Sequence, residues 1–466
     1  MLQNILRYFR RSIKNSIDNI RNERLRHNML QAIPFWISSF ITGIVAVGYA
    51  RIYKWAEDFL SFLMGWQKWS VFIVMPLCFV LSWWLVKKFA PYARGSGIPQ
   101  VMAAVELANP KENRFLYRFL SLKIFLIKII SSVIFVMGGG AVGREGPTIQ
   151  IAGSIFRQVH QLLPKWWPKV SAKNMVMTSA AAGISAAFNT PLGGIVFTIE
   201  QLSKTHFSYF KTALFSAVII AGLTAQSFAG SYLYIGYPKT QGVTMMLILP
   251  IILVAAVSGI FASHLAGIMI ALSRWKQKLK TDRAHVTYLL VISMVMATVA
   301  YFFSTEILGS GGNLMNRILF TDDKYEAWYV PLLRMGGTAL SFSSGAAGGV
   351  FAPSLAAGAS IGSVISDFMN LSSNETNVLI LAGMVAFLTG ITRTPFTSTI
   401  IVLEMTDRYS LIFFLMVAGM VSSIFSLLVS RRSFYDTQKD GFLKAIRDEN
   451  RQQKEPNSKE TPSDLT

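Results

Sequence analysis

"GGGAVGREGPTIQ", residues 138 to 150, sets an arginine and a glutamate inside a glycine-rich break between two apolar runs. The run before it, roughly 119–137, is long enough to cross a bilayer, and similar stretches recur near 33–50, 211–232, 243–272, 287–303 and 409–430. Shorter apolar runs cut by Gly and Pro, such as 176–202 and 347–367, lie between them. Of 466 residues, 52% are hydrophobic and only 15% charged, where a soluble protein carries about a quarter. This composition specifies a polytopic helical membrane protein. Arg144 and Glu145 then sit where hydrocarbon would otherwise surround them, and their presence demands a reason.

The net charge of +20 raises nucleic acid as a partner. The distribution of the charge argues instead for the lipid bilayer as partner and no nucleic acid. Cations gather in the first 30 residues, at Lys87, Lys88 and Arg94, at Lys165, Lys169 and Lys173, and in "RWKQKLKTDR" (274–283), as in loops retained on the cytoplasmic side. The acidic "TDDKYE" (321–326) then lies outside, and both termini are expected in the cytoplasm. Residues 1–32 have no apolar core followed by a small-residue cleavage site, and read as a retained basic segment at the membrane surface. The lone Cys78 excludes an intrachain disulfide, and five dispersed histidines give no metal-ligand cluster. No metal and no cofactor is expected.

The two halves of the chain echo each other. "TPLGGIVFTIE" (190–200) matches "TPFTSTIIVLE" (394–404), and "GGGAVGREGPTIQIAGSI" (138–155) matches "SGAAGGVFAPSLAAGASI" (344–361), at nearly equal offsets and in the same order. An internal duplication follows, with repeats at 33–232 and 233–435 and a short, partly disordered tail at 436–466. Interrupted apolar segments at matching places in two halves mark a transport site near the midplane. Irregular backbone is tolerated at that depth only inside protein or beside an aqueous cavity.

The opening stretch formally contains GxGxxG (Gly138, Gly140, Gly143), but the apolar helix after it is the wrong context for a dinucleotide. The physics of such a turn still applies. Glycines allow a sharp bend, Pro147 suits the first turn of a helix, and the free N–H groups there attract an anion. Glu145 stands where its own carboxylate can occupy that anion position. "GGVFAP" (348–353) repeats the device without charge, placing Val350 and Phe351 just before Pro353. "GSGIP" (95–99) is a third example, in which Ser96 adds a hydroxyl ahead of Pro99. Three such starts in one membrane chain suit a small, dehydrated anion.

"GSGIP", "GREGP" and "GGVFAP", in that order, together with "SSGAAGGVFAP" and "VLEMTD" (402–407), resemble the signature regions of the CLC family of chloride channels and proton-coupled chloride transporters. The resemblance implies an all-α fold of two inverted repeats with broken, tilted helices, and a homodimer with one pathway per subunit. It implies that Ser96, the N–H groups of Val350 and Phe351, and the hydroxyl of Tyr435 in "RRSFYD" bind chloride. Glu145 would be the gate that competes with chloride when ionised. Arg144 would anchor the loop, supported by Gly95, Gly97, Pro99, Gly143, Gly146, Pro147, Gly349 and Pro353. Relatives that favour nitrate often carry proline at the place of Ser96, so serine points to chloride.

One position departs from the exchanger pattern. Where proton-coupled bacterial members carry a second glutamate that relays protons from the cytoplasm, this chain has Gln201 after Glu200. An amide does not take up and release protons near neutral pH. Glu200 reads instead as a structural carboxylate at a helix end, matched by Glu404 in the other half. Chloride/proton antiport with altered coupling is the leading expectation, since no large regulatory domain follows the membrane region; a passive chloride channel is the alternative. An organic-anion carrier and an intramembrane enzyme using Glu145 are more remote. The first would call for a matched arginine, the second for a nucleophile or metal motif, and HExxH does not occur. The protein is expected in a bacterial-type inner membrane, moving chloride and protons, and is not expected to be an enzyme.

Overall fold

Glycine and proline punctuation divides the chain into helices of unequal length, as seen in a computed structural model that describes residues 23–202, 211–230, 233–240 and 244–454. The first half runs α1 (Glu23–Trp66), α2 (Val71–Phe89), α3 (Ile98–Leu107), α4 (Leu122–Met137), α5 (Glu145–Leu162), α6 (Ala172–Phe188), α7 (Pro191–Phe197) and α8 (Lys211–Ala229). The second runs α9 (Ile248–Gln277), α10 (Asp282–Phe302), α11 (Gly312–Phe320), α12 (Val330–Ser343), α13 (Phe351–Phe368), α14 (Ser373–Thr392), α15 (Pro395–Thr406) and α16 (Ile412–Val429). Element by element, α1–α8 correspond to α9–α16. A last helix, α17 (Phe434–Lys454), follows. Among the described residues there is no strand, only two isolated bridges, Gly95 with Ala347 and Gly143 with Gly349.

Among the described residues, eight helical segments are long and apolar enough to cross a membrane. Two of them, Lys68–Phe89 and Ser373–Thr392, are absent from the runs read in the sequence. Pro76 interrupts the first. The second opens on the polar "SNETN", and 94% of its apolar window is buried in protein, so lipid never selects its surface. That helix, α14, lies at the centre of the molecule against α9, α13 and α16.

The ends of the chain differ from expectation. Helix α1 begins at Glu23, inside the segment assigned to the basic N-terminal region; the remainder of that segment lies outside the described residues. Within the segment expected as a tail, α17 runs on to Lys454. Phe442, Leu443 and Ile446 form a buried stripe on α17, at the helical spacing that lays one face against the body. Lys439 pairs with Glu106 at 2.6 Å, and Tyr92 donates to Glu449 at 2.9 Å. Burial works against the Lys439 charge, yet the bonds and charges of Glu106, Asp436 and Asp440 hold its ammonium above the usual lysine range. Residues 455–466 lie outside the described residues.

The helices α7 and α15 close each other. After Phe197 the chain continues as a π-turn through Thr198–Leu202, and Glu200 there accepts from the N–H groups of Phe396 (3.2 Å) and Thr397 (2.7 Å). Glu404 returns the bond to Leu192 (3.0 Å) and Gly193 (2.7 Å). Each carboxylate thus satisfies free donors at the start of the other half's helix, where it also meets the positive end of the dipole.

Candidate functional site

The breaks before α3, α5 and α13 meet at one place because only glycine lets their backbones approach. Gly95 donates to Ala346 O at 2.8 Å, Gly348 donates to Gly95 O at 3.0 Å, and Gly143 and Gly349 bridge in antiparallel sense. A methyl group on Gly146 would lie 2.9 Å from Ser96 O and also strike its hydroxyl. Gly97, at φ +108°, leaves room only 2.7 Å from Gly146 O for the same added carbon. The three glycine-to-proline motifs are therefore one structure.

Each functional side chain is set by local geometry. Ser96, 2% exposed, precedes α3, and the Gln100 carboxamide accepts from Gly97 N at 3.1 Å while donating to Arg94 O at 2.6 Å. Behind this loop lies the Lys128 ammonium, wholly buried on α4, donating to Ala93 O (2.9 Å) and Gly95 O (2.7 Å). Glu145 opens α5 with 1% exposure, and Pro147 follows in the first turn. Arg144 points away from the centre, donating to Ala50 O at 3.1 Å on α1. Tyr53 holds the same loop from α1 through Val142 O at 2.6 Å.

In the second half, Val350 caps α13 and Phe351 opens it, with Pro353 in the first turn. The N–H groups of such a turn have no carbonyl one turn earlier to bond. Ser354 N makes the first return bond, to Val350 O at 3.0 Å. Tyr435, in the first turn of α17, is fully buried with its hydroxyl beside that of Ser96. Ser96 Oγ, Tyr435 Oη and Glu145 Oε2 are all buried without a hydrogen-bond partner. Buried polar atoms are normally satisfied, so three of them around one junction of helix starts describe a place built to hold something polar.

Two hydroxyls and peptide N–H groups are donors with no net charge, and the helix starts add a positive field. Such a site can hold a small dehydrated anion at modest strength, which suits passage through it. The Glu145 carboxylate lies at the edge of this site. Among the described residues, no group of His, Cys, Asp and Glu is arranged to hold a metal ion.

Gln201 lies apart. It sits on the π-turn, with its amide nitrogen 3.7 Å from Met102 Sδ, and lines a cavity of about 340 Å³ with Glu106, Lys173, Asp436 and Lys439. A second cavity, about 320 Å³, reaches Ser96 from the side of α17 past Arg94, Lys276 and His285.

Two residues at the site carry no motif. Lys128 was detectable as a charge deep within an apolar, membrane-length run that otherwise carries only Lys123 near its start, which is by itself a pointer to function. Tyr234, whose hydroxyl donates to Glu145 Oε1 at 2.6 Å, comes from the connection between α8 and α9, where nothing in the text of the sequence marks it. A fourth break, "GSGGN" (309–313), repeats "GSGIP" before α11 with positive φ at Gly309 and Gly311, mirroring Gly95 and Gly97.

Comparison with known proteins places this geometry. The family described as voltage gated chloride channel matches residues 78–427. The H(+)/Cl(−) exchange transporter ClcA of Salmonella paratyphi A is 27% identical over 463 residues, covering 94% of this chain and 93% of the relative. Its counterpart from Salmonella schwarzengrund is also 27% identical, over 455 residues, with the same coverage. Among solved structures, a slow cyanobacterial Cl−/H+ antiporter aligns with TM-score 0.76 at 22% identity over 89% of this chain and 98% of that one. A CLC-type fluoride/proton antiporter aligns with TM-score 0.74 at 19% identity over 90% and 99%.

Proposed function

The chain belongs to the voltage-gated chloride channel (CLC) family, and from that premise we propose that it exchanges chloride for protons across a membrane, with Glu145 as the shared gate. The observation that carries this reading is the convergence of Ser96, Tyr435 and the start of α13 on a buried carboxylate. Ionised, Glu145 occupies the anion position; protonated, it loses its charge and yields to chloride. Occupancy by proton and by anion are thereby linked. The relatives named as H(+)/Cl(−) exchange transporters support the same function.

Chloride would be held by the hydroxyls of Ser96 and Tyr435 and the N–H groups of Val350 and Phe351. Loop shape is the work of Gly95, Gly97, Pro99, Gly143, Gly146, Pro147, Gly349 and Pro353, with Arg144 tying the outer side to α1. In this reading α17 and the two cavities face the cytoplasm, the membrane is a bacterial-type inner membrane, and the protein is a homodimer. Gln201 cannot carry a proton, but Glu106 and Asp436 line the same cavity and supply carboxylates at that mouth. Reconstituted liposomes with simultaneous chloride and pH recording test the proposal. Chloride entry should drive protons the opposite way; chloride flux with no proton movement would establish passive conduction instead.

A further inference from the structure

We propose that Tyr234 is the latch of the gate: a positioning residue that holds the Glu145 carboxylate in the anion site and sets the pH at which it lets go. This inference rests on Glu145 being the gate. The Tyr234 hydroxyl donates to Glu145 Oε1 at 2.6 Å, while Oε2 has no partner. The phenol is the side-chain group that bonds the gate in this conformation.

The latch is preassembled. The ring packs edge-on to Phe188 at 5.1 Å, and Phe188 in turn packs on Phe351 at 5.6 Å, so the phenol is keyed to the helix that begins the chloride site. The backbone that carries it is strapped to the second half: Ile235 N donates to Met405 O at 3.2 Å, and Arg408 Nε donates to Pro238 O at 2.7 Å. The Arg144 guanidinium stands over the ring, 5.6 Å from its centre. A donor held in place in advance loses little freedom on bonding, which makes its bond to the gate effective.

The sign of the effect follows from the chemistry. A phenol O–H bonds a carboxylate more strongly than it bonds a carboxylic acid, so the bond favours the ionised, closed gate. Other groups around Glu145 also act on it: Arg144 beside it, Tyr49, Tyr53 and Glu57 from α1, and Tyr435 from α17. None of these is removed by changing Tyr234, so their contribution cancels in a comparison of variants.

The test is chloride flux against pH in liposomes for the parent, Tyr234→Phe, Glu145→Gln and the double variant. Loss of the phenol should move the midpoint of the flux curve to higher pH by about half a unit to one unit, and raise flux at neutral pH about three- to tenfold. In the Glu145→Gln background, Tyr234→Phe should change nothing. A flat Glu145→Gln profile together with an unshifted Tyr234→Phe midpoint would overturn the latch. An equal effect of Tyr234→Phe with and without the glutamate would assign the tyrosine to packing alone and overturn it too. Persistent pH dependence in Glu145→Gln would instead remove the gate reading itself. Arg408→Lys, which loosens the strap without touching the phenol, should shift the midpoint in the same direction by less.

Discussion

Gly143 and Gly349 hold the same place in the two halves and hydrogen-bond to each other in both directions, N to O, at 2.8 and 2.7 Å. Two equivalent residues can pair reciprocally only where a pseudo-twofold axis passes between them. Glu200 and Glu404 are likewise reciprocal, each accepting from the backbone at the start of the other half's helix, α15 and α7. The axis thus runs between the breaks before α5 and α13, where the halves meet.

Gly146→Ala tests that closeness. The added carbon falls on the Ser96 carbonyl and hydroxyl, and neither can retreat without breaking the Gly95 loop. Chloride binding measured by calorimetry should weaken at least tenfold, about 1.4 kcal/mol. Unchanged binding would show that the loops are looser than described.

Glu145→Gln replaces the titrating gate by a neutral group of the same shape. Flux should lose its pH dependence and remain high across the range, while the thermal unfolding midpoint stays near that of the parent. A normal pH profile would dismiss the carboxylate as the gate.

Ser96→Ala and Tyr435→Phe each remove an unpartnered hydroxyl from the centre. Chloride affinity should fall about three- to tenfold for each, corresponding to one modest hydrogen bond. Calorimetric titration of both single variants and the double distinguishes additive loss from collapse of the site.

Lys128→Met leaves Ala93 O buried without a donor and Gly95 O with only the Gly348 N–H. The expected cost is about 2–4 kcal/mol, read as a lowered unfolding midpoint in detergent. If stability holds, water or another donor has replaced the ammonium.

Glu404→Ala strips two N–H groups at the start of α7 of their acceptor and should destabilise by about 1–2 kcal/mol. Glu404→Gln, which keeps an acceptor oxygen, should lose less by the same unfolding measurement.

Much of this was legible in the sequence because glycine and proline act locally. "GSGIP", "GREGP" and "GGVFAP" announce helix starts wherever they occur, and the duplication ties them together. What escaped notice depends on tertiary placement. Helix α14 reads as too polar to span because its surroundings are protein, not lipid. Tyr234 is one tyrosine among several in a connecting segment, and only the strap to Met405 and Pro238 carries it to the gate. The α17 helix looked like a charged tail because its buried residues are few and widely spaced. Lys128 was the exception: its position in an apolar run was visible, and the meaning of such a charge is a general one.

The exchange of carboxylates between α7 and α15 is a contact that needs no covalent link between the halves. Each half ends a helix with the acceptor that its twin requires, so the interface is self-complementary in the manner of a symmetric pair. Two unlinked half-length ancestors, threaded through the bilayer in opposite senses, would already have been able to complete one another with this contact. Joining two such halves in one chain would add only a tether to a contact already complete.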